Sequence, residues 1–125
     1  MNMPQATYTS DPQKGQWGGH PKRNGRELLA DITSEPGPAN ESWYRIRLTV
    51  RSTDRDRPLV GTVRFHLHPT FETPKEVAID ASEEARLELL AWGSFTAGAE
   101  VDEGRTKLEL DLAELKDAPE RFRLM

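Results

Sequence analysis

His66 and His68 stand one residue apart, a spacing that on a strand turns two imidazoles to the same face. With a carboxylate beside them they could bind a metal ion. A site needs three or four ligands, however, and no third stands out. Histidines so placed more often sit on a polar sheet face or hydrogen-bond locally, so neither a metal nor a cofactor is expected. Ser94 follows Gly93, but a serine with a histidine elsewhere is too common to indicate acyl transfer. The chain has no nucleophile-elbow motif, phosphate-binding glycine loop or dinucleotide fingerprint. The carboxylate pairs Glu83–Glu84 and Asp102–Glu103 fall in turns or loops, where solvated charge is the ordinary reading. With no cysteine, a thiol nucleophile, an iron–sulfur site, a zinc ribbon and a disulfide scaffold are all excluded. An enzyme is therefore not expected, and a metal-dependent one at His66 and His68 is a distant alternative.

Two aromatic residues stand where strand rhythm breaks. Phe71 follows His68, Pro69 and Thr70, and Trp92 lies between Ala91 and Gly93, ahead of Ser94 and Phe95. If the two loops meet at one end of a sandwich, Phe71 and Trp92 can face each other across a slot. Two aromatic faces with a hydroxyl beside them would hold a flat, weakly polar group. The equal alternative is that both rings cap the core.

The elements that would carry these loops are strands. In Trp43 to Ser52, Tyr44, Ile46, Leu48 and Val50 alternate with polar residues, a period of two with one buried face. Gly61 to His68 repeats the pattern, with Val63, Phe65 and Leu67 opposite Arg64, His66 and His68. Pro69 ends that ladder because it has no N–H to donate. Shorter strands are expected over Leu28–Ile32, Glu76–Ile79 and Ala85–Leu90, the last with Leu87 and Leu89 inward. Phe95, Ala97, Ala99 and Val101 share one face of a further strand, and Leu108, Leu110 and Leu112 share one face of the last. Between those two, residues 102–105 form a hairpin loop in which Gly104 takes the positive φ. A helical turn is expected over Ala113–Asp117 and an extended tail over Arg121–Leu124. About seven to eight strands with no long helix make an all-β fold, an antiparallel immunoglobulin-like β-sandwich.

The 125 residues fit one domain, with residues 1–25 a polar N-terminal arm and residues 26–125 the β-sandwich. The arm reads first as a flexible segment too polar to bury enough surface to order itself; against complete disorder stands Trp17, its only large anchor, since an indole can pin an arm onto a domain. The net charge is −4 and unevenly spread. Lys14, Lys22, Arg23 and Arg26 face only Asp11 in the first 26 residues, whereas residues 72–125 hold seven basic and fourteen acidic groups. A basic arm on an acidic body is not the footprint of a nucleic-acid binder, so nucleic acid is not expected as a partner. No apolar run approaches a membrane span and the first 25 residues contain no apolar stretch, so the expected location is cytoplasmic.

The run Val63-Arg-Phe-His-Leu-His-Pro-Thr-Phe71, followed about twenty residues later by Ala91-Trp-Gly-Ser-Phe-Thr-Ala-Gly-Ala-Glu-Val101, resembles the YEATS domain over residues 43–112. Asp11-Pro-Gln-Lys-Gly-Gln-Trp-Gly-Gly19 and Asn24-Gly25 are not part of the eukaryotic pattern and make the chain similar to the prokaryotic YEATS-like branch. Ala91 stands where a glycine usually precedes the aromatic, and Thr70 replaces the usual serine. The resemblance implies a non-enzymatic recognition module for acylated lysine on a protein or peptide partner. Phe71 and Trp92 would sandwich the acyl-amide, the Thr70 hydroxyl would bond it, and the Trp92 N–H would donate to its carbonyl. His68 would orient the loop, Gly93 would follow in the same loop, and Phe95 would close the back. For the prokaryotic branch the resemblance also implies the alternative of a protein–protein adaptor in a bacterial signalling or defence system.

Overall fold

The computed structural model describes residues 14–34, 43–68, 74–91 and 93–124. Eight strands run in chain order: β1 (Lys22–Arg23), β2 (Arg26–Ser34), β3 (Tyr44–Ser52), β4 (Thr62–His66), β5 (Lys75–Ala78), β6 (Ala85–Ala91), β7 (Thr96–Val101) and β8 (Thr106–Asp111). They form two four-stranded antiparallel sheets, ordered β1-β2-β3-β6 and β5-β4-β7-β8. The chain changes sheet at β3–β4, at β5–β6 and again at β6–β7. The result is an immunoglobulin-like β-sandwich, as the strand count implies. Among the described residues no helix is long and apolar enough to cross a membrane.

The core follows from the period of two. Tyr44, Ile46, Leu48 and Val50 of β3 are buried while Arg47 and Arg51 are exposed. From the other sheet Val63, Phe65, Ala97, Ala99 and Leu108 meet them, all fully buried. The outer face of β3 is stitched to its neighbours by ion pairs. Glu88 takes Arg47 at 2.7 Å and Arg45 at 3.2 Å, and Glu27 takes Arg51 at 2.9 Å. The Arg47 hydrogen bond, seconded by Arg45, holds the exposed Glu88 carboxyl below the usual carboxylate range.

Several local expectations change. Strand β2 begins at Arg26, not Leu28, because Asn24 (φ 53°) and Gly25 (φ 76°) make a two-residue turn that pairs β1 with β2. Gly25→Ala should therefore destabilise the domain by about 1 kcal/mol, read as a lower urea midpoint with an unchanged slope. In the loop 102–105, Gly104 does take positive φ (87°), but Asp102 (55°) and Glu103 (58°) do so as well. The turn after β8 is a short 3₁₀ segment over Leu112–Glu114, started by the Asp111 carboxylate, which accepts from the Ala113 N–H at 3.0 Å. The tail is not extended: α1 spans Glu120–Arg123. Pro119 at its N-cap has φ −56°, and the fully buried Phe122 sets its ring edge-on to Tyr44 at 5.2 Å. A buried aromatic anchor thus decides a segment too short for propensity to decide.

On β7 both faces are buried, because Thr96 and Gly98 are covered as fully as the core residues between them. The cover over Gly98 is Trp17 of the N-terminal segment. Just beyond it, the His20 carbonyl accepts from the Glu109 N–H and the Pro21 carbonyl accepts from the Leu28 N–H, both at 2.8 Å. Residues 20 and 21 are thereby bonded to β8 of one sheet and β2 of the other, and close that flank of the sandwich.

Candidate functional site

The residues with site potential gather where β3 begins and β6 ends, a point fixed by the pairing of Tyr44 with Ala91. Phe95 belongs to the inward series that continues with Ala97, Ala99 and Val101, so its ring enters the core and is 5% exposed. His68, two residues past the end of β4, lies edge-on to that ring, with centroids 6.4 Å apart and planes at 64°. One contact therefore ties the start of the β4–β5 connection to the end of the β6–β7 connection.

The β6–β7 connection is also held from the C-terminal side. The Phe95 carbonyl accepts from the Leu112 N–H at 3.0 Å. The Ser94 hydroxyl donates to the Arg123 carbonyl at 3.2 Å, and Arg123 Nε donates to the Ala113 carbonyl at 2.9 Å. Gly93 and Ser94 are half-buried there. The structure thus brings His68, Gly93 and Phe95 to one end of the sandwich. Thr70, Phe71 and Trp92 lie outside the described residues. Sequence reasoning missed Arg123 and Phe122 as supports of this end. Their signal was the lone phenylalanine between two arginines after Pro119, a spacing equally compatible with an extended tail.

The paired histidines do not act together. The β4 ladder ends at His66, whose Nε2 meets Glu100 Oε2 at 2.6 Å and whose ring stacks on Trp17 at 4.9 Å, whereas His68 turns to Phe95. Among the described residues no group of three His, Asp or Glu side chains is placed to hold a metal ion. The carboxylate pairs have structural partners. Glu84 pairs with Arg86 at 2.5 Å, and Asp102 pairs with Arg26 through two hydrogen bonds of 2.9 and 3.2 Å. The Asp102 carboxyl is held below its ordinary range, first by that Arg26 hydrogen bond and further by the Thr106 hydroxyl.

What the described end of the sandwich offers is an anchored pair of loop stems with a buried aromatic floor. The family model of the prokaryotic YEATS domain matches residues 44–113, from the first residue of β3 to just past β8, and so covers both stems. No curated protein matches the chain.

Proposed function

The chain belongs to the prokaryotic YEATS domain family, and we propose that it is a non-enzymatic recognition module that takes an acylated lysine of a protein or peptide partner in a slot between Phe71 and Trp92. The observation that supports this reading is the His68–Phe95 contact, which joins the stems of the two loops at one end of the sandwich. An acyl-lysine is neutral at its tip, so the slot needs no carboxylate. Its planar amide suits two aromatic faces, whose quadrupoles favour offset stacking on a flat group. In this reading the Thr70 hydroxyl and the Trp92 N–H bond the amide. Gly93 lets the backbone approach, His68 orients its loop, and Phe95 backs the slot. The anchoring of Ser94 and Phe95 by the C-terminal segment supports a site whose geometry is set before the ligand arrives.

The test is an amide NMR titration of the labelled chain with short peptides bearing lysine, acetyl-lysine or crotonyl-lysine. Saturable shifts are expected at His68, Gly93 and Phe95 with the acylated peptides alone. Phe71→Ala and Trp92→Ala should each remove about 2 kcal/mol of binding, roughly thirtyfold in Kd, while leaving the remaining spectrum dispersed. A folded wild type that shows no shifts at millimolar peptide would refute acyl-lysine binding and move the search to a protein surface.

A further inference from the structure

The outer face of β4, β7 and β8 carries a second constellation, unrelated to the loop end. Trp17 is 7% exposed, yet it is not a member of the core cluster, because the sheet itself lies between them. Its floor is Gly98, where a Cβ would stand 2.2 Å from indole Cδ2. Its wall is the stacked His66 ring, braced by Glu100. Glu109, 5% exposed, accepts the Gly15 N–H at 2.9 Å through one oxygen and the Trp17 N–H at 2.8 Å through the other. Lys14 Nζ reaches Asp111 at 2.7 Å and Glu114 at 3.9 Å.

We infer that this face is a peptide-binding cradle, fitted to a partner segment with a basic residue three positions before a tryptophan set among small residues, and closed in this chain by its own residues 14–20. Three features carry the inference. The recognition elements differ in kind: a glycine floor against which the indole lies, a buried carboxylate that reads backbone N–H groups, and an acidic rim for a cation. Charge is complementary at the rim, where Lys14, the segment's one fixed cation, meets Asp111 and Glu114. The occupant also lies outside the core cluster, so its release, which would break the Gly18–Arg23 and His20–Glu109 hydrogen bonds, uncovers the outer face of the sheet and leaves the core residues between the sheets. A partner segment of the same chemistry therefore competes with a tethered one, whose effective concentration is on the order of millimolar.

The full-length Trp17→Ala chain tests this, titrated with the heptapeptide of residues 14–20 and with the same peptide lacking its indole. Saturable amide shifts at His66, Gly98 and Glu109 are expected with the intact peptide only, and binding to the wild type should be at least tenfold weaker. Equal binding to both chains, no binding to Trp17→Ala, or a Trp17→Ala chain that does not fold would each overturn the inference. A second measurement needs no variant. In the wild type the Gly15 and Trp17 amides should exchange with solvent faster than those of β3, through an opening that leaves the sheets intact. Exchange only by global unfolding would overturn the separable closure. Sedimentation of the wild type distinguishes the remaining occupant: a concentration-dependent dimer would assign the cradle to a second copy and overturn the partner reading.

Discussion

Replacing Arg26 by methionine should lower the stability of the domain by about 3–5 kcal/mol, the loss typical of a buried ion pair broken from one side. Arg26 is 3% exposed and serves four acceptors. Nε and Nη2 bond Asp102 at 3.2 and 2.9 Å, and Nη1 bonds the Ser52 hydroxyl at 2.9 Å and the Arg57 carbonyl. Asp102 also takes the Thr106 hydroxyl at 2.7 Å, which in turn accepts from the Asn24 amide at 2.9 Å. The network joins the first residue of one sheet's long strand to the β7–β8 loop of the other. It braces two sheets that have no cysteine to bridge them. Removing the guanidinium strands a carboxylate. The double variant Arg26→Met with Asp102→Asn should recover part of the loss, because asparagine removes the charge and tolerates the positive φ at that position. Urea melts of the single and double variants check both statements.

The same network sets a pH dependence. The folded Asp102 carboxyl is depressed below its reference value of 3.8, chiefly by Arg26. Its contribution is therefore complete above that value and is lost as pH falls through the lower, folded one. The stability gap between the wild type and Asp102→Asn should be constant from neutral pH to about 4 and close below it. A gap of equal size at pH 3 and pH 7 would sink the assignment.

The second large effect is expected at Gly98→Ala. The backbone there is ordinary strand, so alanine itself is not strained. The conflict falls wholly on Trp17, with indole Cδ2, Cε3 and Cγ at 2.2, 2.4 and 2.7 Å from the new carbon. Sheet and segment cannot both stay, and the segment, outside the core, is the weaker. Its loss should cost about 2–3 kcal/mol, the burial of one large side chain less the ordering of its chain. The Trp17 indole N–H resonance should move to a solvent-exposed position, and a protease should cut near residues 14–20 while the sandwich survives. An unmoved resonance would mean that the sheet yields instead.

Much of the sandwich is legible in local patterns, because alternation in β3 and β4 reports directly which face is dry. What stays hidden depends on residues far away in sequence. Arg26 and Glu109 look like ordinary polar strand residues, and nothing near them announces the partners that bury them. Gly98 carried a usable signal, since a glycine inside a strand marks a close approach of something to the backbone. Asn24–Gly25 carried another, the dipeptide of a tight hairpin turn. The candidate site was legible only as two aromatic interruptions and a family resemblance. No period or spacing brings His68 to Phe95; the sheet order does. Phe122 was misread because four residues are too few to declare a helix, whereas a vacant core end next to Tyr44 decides the matter.

The clasp over Gly98 also has a history within each molecule. The bonds from Gly15 and Trp17 to Glu109 span 94 and 92 residues, about three-quarters of the chain. The segment that leaves the ribosome first has no seat until β7 and β8 have paired. At roughly 5–20 residues per second, synthesis holds the indole without a partner for several seconds. Its docking then closes one of the longest loops in the fold, a step whose entropy must be met before any contact rewards it. The tryptophan thus reports the arrival of β8: a chain arrested before β8 has both sheets begun and its arm without Glu109.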